Sequence, residues 1–311
     1  MRVCTNAEFD NIAYLFYNEN QSIFGGLNTP MSGIFRTRQY RIERGVFFMS
    51  KNRNQGQNPP ICVSQNYLTS YKTIKKLLHK TSITAGDHVI EIGPGKGHIT
   101  GLLLENCQKV SAIEVDKKLY GRLLEKFSDA ENLDLYHQDF LQWRLPASVD
   151  YKVFANIPFF HTTSILRKLT ESKNPPTEAW LTMEKGAAKR FMGTSRESLR
   201  SLMIKPVFDL EIVYHFRRED FHPKPGVDVV LLHLNKKAQP DVSPVQWLAY
   251  ERFVSAGLRS NGAELRRMFT KKQLSRAFRE AGIHGYASGE MLYVQWLCLF
   301  RCYYKHVLRK D

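Results

Sequence analysis

The stretch His88-Val-Ile-Glu-Ile-Gly-Pro-Gly-Lys-Gly97 leads from a short apolar run into three alternating glycines. A helical pattern begins just after it, near Ile99. Glycine allows the backbone to turn sharply and to approach a ligand closely. The stretch therefore predicts a strand, a ligand-binding turn and a helix, an arrangement typical of nucleotide-binding folds but of modest specificity by itself.

The ligand of this turn is indicated by its spacing and its charge. G-x-G-x-G differs from the dinucleotide fingerprint G-x-G-x-x-G. Glu91 precedes the turn, where an acid would repel a pyrophosphate at the helix N-terminus. It would suit a ligand that carries an amine or a sulfonium. The turn therefore favours S-adenosylmethionine over NAD.

Alternating strand and helix patterns extend outward from the glycine turn over residues 61–237. Strands are predicted at His88–Ile92, Lys109–Glu114, Leu133–His137, Tyr151–Ala155, Ala179–Met183, Leu210–Tyr214 and Val227–Leu234. Helices are predicted at Tyr71–His79, Ile99–Glu105, Lys117–Phe127, Thr163–Glu171 and Glu184–Met192. This alternation predicts an α/β fold, a mostly parallel sheet with helices on both faces. The short connection between the last two strands predicts an antiparallel edge.

The ends of the chain differ from this middle part. Residues 1–48 show no clear period and are predicted to be a poorly structured extension, with Met49 as the hypothetical functional start. Mass analysis of the N-terminus of natively expressed protein would test this, and a product beginning at Met1 would contradict it. Residues 49–60 predict a basic flexible arm. Residues 238–311 predict a small helical domain with about three helices, near Pro244–Arg259, Thr270–Ala281 and Ser288–Val307.

Composition limits the classes of protein that fit. The 311 residues include 45 Lys and Arg against 30 Asp and Glu, a net charge of +15, which favours a polyanionic partner. The longest apolar stretch, Met291–Phe300, is interrupted by Gln295 and is too short to span a membrane. Five irregularly spaced cysteines argue against a disulfide framework and for a reducing, cytoplasmic compartment. No metal site is predicted.

Acidic side chains follow the glycine turn at successive strand ends. Glu114 closes the second of these strands, where an acid can accept hydrogen bonds from both ribose hydroxyls of an adenosine. Asp139 follows the third strand and can accept from an adenine amine. Because the carboxyl ends of parallel strands meet at one edge of the sheet, we expect both acids to contact one ligand.

Asn156-Ile-Pro-Phe-Phe160 follows the fourth strand and is the most diagnostic segment. The exocyclic amine of a base is a poor nucleophile because its lone pair is delocalised into the ring. The Asn156 side-chain oxygen and the next backbone carbonyl can both accept from such an amine and so position it. The fixed φ of Pro158 holds that backbone in place, and Phe159 offers a face on which a flipped-out base can stack.

Together these segments resemble the rRNA adenine N6-methyltransferases. The resemblance rests on Ser64-Gln-Asn-Tyr-Leu-Thr69, Glu91–Gly97, Ala112-Ile-Glu-Val-Asp116, Gln138-Asp-Phe-Leu141, Asn156-Ile-Pro158 and Phe221-His-Pro-Lys-Pro225. Glu184–Phe191 and Phe269-Thr-Lys-Lys-Gln-Leu274 resemble segments of the erythromycin-resistance (Erm) branch. The match covers about residues 61–300 in consistent order.

The resemblance implies a Rossmann-like S-adenosylmethionine-dependent methyltransferase domain with a small C-terminal helical domain. It implies cofactor contacts at Asn66, Leu68, Gly93, Gly95, Glu114, Asp139 and Asn156. The catalytic turn would be Asn156, Ile157, Pro158 and Phe159. The Erm product is N6-methylated adenine at one position of the 23S rRNA peptidyl-transferase loop, which blocks macrolide, lincosamide and streptogramin B binding. Mono- and dimethylation both remain open.

Two alternatives and one departure stay open at this point. The sister family dimethylates two adjacent adenines of small-subunit rRNA in ribosome biogenesis and shares most motifs; Ile157 and the Phe269–Leu274 segment favour Erm. A non-catalytic RNA-binding assembly factor is the third hypothesis, against which the intact cofactor acids argue. The departure is Phe159, where the family usually has Tyr: the aromatic face is kept and a hydroxyl is lost.

The RNA partner, 23S rRNA free of protein or in an early precursor, is expected to meet basic side chains near the predicted helix after the fifth strand. The candidates are Lys185, Lys189, Arg190, Arg196, Arg200 and Lys224, together with the C-terminal domain, where residues 251–311 hold twelve basic and five acidic residues. Such contacts to phosphate supply affinity and salt dependence but no choice of sequence. We expect a monomer that binds no membrane.

Overall fold

The computed structural model describes residues 66–194, 196–259, 263–284 and 290–308, all within one compact unit. Its strands are β1 Tyr67–Leu68, β2 His88–Ile92, β3 Lys109–Glu114, β4 Leu133–His137, β5 Lys152–Asn156, β6 Glu178–Glu184, β7 Phe208–His215, β8 Phe221–His222 and β9 Val229–Lys236. Its helices are α1 Tyr71–Leu78, α2 His98–Asn106, α3 Lys117–Lys126, α4 Thr162–Thr170, α5 Lys185–Met192, α6 Leu199–Ile204, α7 Trp247–Leu258, α8 Ala263–Met268, α9 Lys271–Glu280 and α10 Tyr293–Tyr303.

Seven strands form the central sheet in the order β4-β3-β2-β5-β6-β9-β7. β2 to β6 pair in parallel, and β9 runs antiparallel to both β6 and β7. This confirms the predicted α/β, Rossmann-like sheet. The strand order reverses between the neighbouring strands β2 and β5. From β2 the chain continues to β3 and β4 on one side, and β5 is followed by β6 on the other. Ligands of open α/β sheets bind outside the carboxyl ends of the strands at such a switch point.

Apolar cores cover both faces of the sheet, and successive residues of its central strands are buried on alternate faces. Ile90 and Ile92 face one core, which includes α4, and Val89 faces the other, which includes α1 and α2. Glu91 also alternates away from Ile90 and is almost fully buried, at 1% exposure. The two cores hold the ends of β2 to β5 rigidly, and the candidate site is built on those ends.

The four helices after β9 pack around an aromatic core of their own. Tyr250 and Phe253 of α7 meet Trp296 and Phe300 of α10, all fully or almost fully buried. Leu202 of α6 joins this core, and its carbonyl accepts a hydrogen bond from the Tyr250 hydroxyl at 2.8 Å. The C-terminal part is helical, as predicted, and its described residues form four α-helices where about three were expected.

Two predicted segments lie outside the described residues, and three features of the structure were not predicted. The extension 1–48 and the arm 49–60 lie outside them. The short helices α6 and α8 and the two-stranded pair β1–β8 were not predicted. Within the described part of the chain, the helices are too short or too polar to cross a membrane.

Candidate active site

The glycine turn after β2 adopts the conformation that its sequence predicts. Gly93 and Gly95 have φ angles of 66° and 58°, in the left-handed region that side chains other than glycine rarely adopt. A Cβ on Gly95 would lie 2.8 Å from the Tyr67 ring, so glycine is required there for packing as well. A Cβ on Gly93 would meet nothing within 4 Å. Gly93 therefore faces open space, in which a ligand can approach the backbone.

Glu114 ends β3 beside this turn and is held in place by the backbone. Its Oε2 accepts a hydrogen bond from Gly95 N at 3.0 Å, and its Oε1 accepts from Asp116 N at 2.9 Å. The side chain is 2% exposed, and burial raises the pKa of this carboxyl. Each oxygen of a carboxylate has a second lone pair. Glu114 can therefore accept further hydrogen bonds from two hydroxyls of a ligand.

The Asn156 side chain is oriented by the N-terminal strand segment. Its Nδ2 donates a hydrogen bond to the carbonyl of Asn66 at 2.8 Å. One of the two Nδ2 hydrogens is therefore used, the orientation of the amide is fixed, and Oδ1 is its acceptor atom. The following turn is braced as well, because Ile157 N donates to the Thr182 carbonyl at 3.2 Å and His161 N donates to the Pro158 carbonyl at 3.0 Å.

These segments meet in one pocket at the switch point of the sheet. Its lining residues are Asn66, Tyr67, Gly93, Gly95, Glu114, Asn156, Ile157, Pro158 and Phe159. The pocket brings together all four residues of the predicted catalytic turn and most of the predicted cofactor residues. The arrangement places an acidic carboxylate, open backbone at the glycine turn and an amide acceptor around one space.

Two predicted cofactor residues lie nearby without lining this pocket. Leu68 is 3% exposed and packs in the core beside α1. Asp139 follows β4, next to β3, and its Oδ1 accepts a hydrogen bond from Leu141 N at 2.8 Å. The Asp139 carboxylate therefore also shapes its own turn, and contacts of both residues with a cofactor stay predictions.

Glu91 does not line the pocket, unlike the simplest expectation for an acid at the glycine turn. Its side chain lies on the α2 face of the sheet, where burial raises the pKa of the carboxyl to about 8. Hydrogen bonds from Thr100 of α2 act against this rise, because they favour the charged carboxylate. Glu91 could therefore affect a bound ligand only indirectly, through the glycine turn that follows it.

The predicted RNA-binding side chains differ in their surroundings. Lys185 lies 3.7 Å from Asp228, and Lys224 lies 3.4 Å from Glu219, so nearby carboxylates partly neutralise both. Four others are exposed: Lys189, Arg190, Arg196 and Arg200. Whether any of the six contacts RNA stays a prediction.

Two features near the pocket were missed by sequence reasoning. Tyr67 packs under Gly95, and the Lys96 ammonium lies 5.3 Å from the centre of its ring. α1 presents an exposed basic face with Lys72, Lys75 and Lys76, and exposed Lys80 follows in the turn after the helix. Among the described residues, none of these four lysines forms an ion pair with a carboxylate. Their spacing along one short segment without acids was the available signal.

The residues of the pocket fit a nucleoside with a cationic sulfonium tail. Open space at Gly93 leaves room for the ligand, and the buried carboxylate of Glu114 favours hydroxyl donors and positive charge. The described residues contain no group of three or more His, Cys, Asp or Glu side chains placed to hold a metal ion.

Comparisons with known proteins agree with this geometry. The family model of ribosomal RNA adenine dimethylases matches residues 60–292. An rRNA adenine N-6-methyltransferase of Limosilactobacillus reuteri is 35% identical over 240 residues, which cover 77% of this chain and 95% of the relative. The crystal structure of the 23S rRNA methyltransferase ErmE aligns with a TM-score of 0.70 at 28% identity, over 76% of this chain and 99% of ErmE.

A dimethyladenosine transferase from Plasmodium falciparum shares the fold, with a TM-score of 0.62 at 20% identity, over 75% of this chain and 95% of that chain. The family match spans both the pocket and most of the helical part. The chain therefore belongs to the family of rRNA adenine N6-methyltransferases that the ribosomal RNA adenine dimethylase model describes.

Proposed function

We propose that this chain transfers a methyl group from S-adenosylmethionine to N6 of one adenine in the peptidyl-transferase loop of 23S rRNA. Expression would then confer resistance to macrolides, lincosamides and streptogramin B. The 23S substrate is supported by the likeness to ErmE, which at 28% identity exceeds that to the dimethyladenosine transferase at 20%. The cysteine pattern supports action in the reducing cytoplasm.

The cofactor would lie in the pocket at the switch point of the sheet. Asn66, Gly93 and Gly95 would contact it through the N-terminal segment and the glycine turn, and Glu114 would accept from its ribose. Asp139 would accept a hydrogen bond from the adenine amine of the cofactor, and the segment at Leu68 would lie beside the cofactor. When bound, S-adenosylmethionine supplies an electrophilic methyl group.

The orientation of Asn156 is the observation that carries the proposal. Because Nδ2 donates one hydrogen bond to the Asn66 carbonyl, the amide is held in one orientation, and Oδ1 is its atom that can accept from the target amine. The Ile157 carbonyl supplies a second acceptor beside it. Two acceptors on one amine fix its geometry and favour localisation of the lone pair toward the methyl group. The braced turn keeps both acceptors in place.

Phe159 lines the same pocket and would stack on the flipped adenine. Stacking requires an aromatic face, which Phe and Tyr share. RNA would reach this pocket across basic surfaces, for which the exposed face of α1 and the exposed residues Lys189, Arg190, Arg196 and Arg200 are the candidates. Lys185 and Lys224 would contribute less because carboxylates lie beside them.

Resistance in cells tests the proposal. We expect the wild-type chain, expressed in a macrolide-sensitive bacterium, to raise the inhibitory concentration of a macrolide, a lincosamide and streptogramin B together. Asn156→Ala, expressed to the same level, should leave the cells sensitive. Unchanged sensitivity with soluble wild-type protein, together with new methylation of 16S rRNA, would instead support the small-subunit dimethyltransferase.

A further inference from the structure

Phe160 is an exposed aromatic side chain directly beside the active-site turn. It is 73% exposed, whereas its neighbour Phe159 is half-buried and lines the pocket. Among the described residues, Tyr71, at 57%, is the other exposed large aromatic side chain. Because the ring is exposed next to a residue of the pocket, its face is available for stacking on a ligand that reaches the pocket.

The backbone that carries Phe160 is rigid. His161 N donates to the Pro158 carbonyl at 3.0 Å, and the Thr162 hydroxyl donates to the Phe159 carbonyl at 3.0 Å. The His161 ring packs edge-to-face with the Phe160 ring, with 5.2 Å between the ring centres. Phe160 is therefore presented in a defined place outside the pocket, in contrast to a side chain on a loose loop.

The fold does not need this ring for its own packing. α4 begins at Thr162 and buries Ile165, Leu166 and Leu169 on its inner side. Phe160 belongs to none of the apolar cores. Replacing Phe160 should therefore leave the stability of the chain and the cofactor site unchanged.

RNA chemistry at this pocket creates a suitable partner. An adenine that lies in a base stack must leave it before its amine can reach the pocket, and unstacking has an energetic cost. Its departure exposes the face of the neighbouring base. Aromatic side chains stack on such bases without regard to their identity.

We propose that Phe160 stacks on the base next to the target adenine and so stabilises the flipped-out state of the RNA. The proposal rests on the proposed function, because it needs an adenine that is methylated in this pocket. Phe159 and Phe160 would then hold two different bases, Phe159 the target inside the pocket and Phe160 its neighbour at the edge.

Two RNA substrates distinguish a role in base flipping from a general effect on methylation. The first is folded, protein-free 23S rRNA, and the second is an unstructured oligoribonucleotide with the methylated sequence. Phe160→Ala should lower kcat/KM about tenfold on folded rRNA and less than about threefold on the oligonucleotide, where flipping is easy. Phe160→Trp should keep wild-type activity on both, and cofactor affinity and Tm should not change.

The matched control is Val149→Ala, which shortens another exposed apolar side chain. Val149 is 52% exposed and precedes the start of β5, whereas the pocket lies at the carboxyl end of that strand. This variant should behave as wild type. Unchanged activity of Phe160→Ala on folded rRNA, or an equal loss on both substrates, would overturn the proposal while wild-type methylation still upholds the function. If wild type labels 16S rRNA, the same comparison is made there. If it labels neither rRNA, the function and this proposal fall together.

Discussion

Hydrogen bonds to individual residues fix the orientation of the polar side chains that line the pocket. Asn156 is the clearest case, because a hydrogen bond from its Nδ2 to the Asn66 carbonyl fixes the orientation of the amide. The sequence predicted Asn156 from its motif, and the structure adds the partner 90 residues away. That partner could not be predicted, since it depends on how β1 lies against the end of β5. Tyr67 was missed for the same reason: its contact with Gly95 is a tertiary one.

Phe159 tests whether an aromatic face is sufficient in the catalytic turn. We expect Phe159→Tyr to change the methylation rate only modestly, because stacking is preserved and a hydroxyl is added. Phe159→Ala should reduce kcat/KM strongly, because base stacking on an aromatic ring contributes about 1–3 kcal/mol. Initial rates on the methylated rRNA would measure this. Equal activity of all three proteins would contradict the stacking role.

Glu91 makes stability depend on pH. Burial raises the pKa of its carboxyl from 4.5 to about 8 in the folded chain. Well below pH 4.5, the Glu91 carboxyl is protonated in both the folded and the unfolded chain, and its burial involves no charge. Between pH 4.5 and 8 the unfolded chain loses the proton first, so stability falls as pH rises.

We therefore expect Glu91→Gln, which is neutral at every pH, to raise the Tm of the ligand-free protein more at pH 8.5 than at pH 5. Thermal melts across this range would measure the difference. A stabilisation that does not depend on pH would show that Glu91 is charged in the folded chain.

Secondary-structure elements were predicted well where they are long and periodic. β2, β3 and β4 have the predicted bounds, and α1 to α5 differ by one residue at most ends. The missed elements are short: α6 and α8 have six residues each, and β1 and β8 have two. Such elements hold too few residues to show a period, and tertiary contacts stabilise them.

The contact between α7 and α10 depends on Gly257. A Cβ there would lie 2.6 Å from the ring of Trp296, which is fully buried and has no room to move. Alanine is the better helix former by about 1 kcal/mol, but overpacking of a core costs about 1–3 kcal/mol. We expect Gly257→Ala to lower the free energy of unfolding, as measured by denaturant titration. Ser255→Ala in the same helix is the control and should be neutral or slightly stabilising.

The basic face of α1 predicts that the affinity for rRNA falls as the salt concentration rises. If Lys75 contacts a phosphate, Lys75→Gln should weaken rRNA binding and reduce the slope of log K against log salt by about 0.7–0.9. Lys173→Gln, an exposed lysine in the loop after α4, is the matched control and should keep the slope. A slope unchanged by Lys75→Gln would place the RNA on another surface.

At the scale of the whole molecule, the chain combines a pocket at the switch point of the sheet with a strongly basic composition. The net charge of +15 predicted a polyanionic partner, and the family match names rRNA as the substrate class. Sequence reasoning was sufficient for the class of fold, and it named the four residues of the turn that lines the pocket; their catalytic role stays a prediction. The surface that meets RNA could not be predicted, because exposed lysines and arginines follow no pattern that separates contact from solvation.

The most direct measurement is the transfer of labelled methyl groups from S-adenosylmethionine to protein-free 23S and 16S rRNA, with the modified base mapped by primer extension. We predict label on a single adenine of the 23S peptidyl-transferase loop, and no label with Asn156→Ala. Label confined to adjacent adenines of a 16S hairpin would contradict the 23S assignment. Absence of label on both rRNAs, with cofactor bound, would contradict the proposed activity.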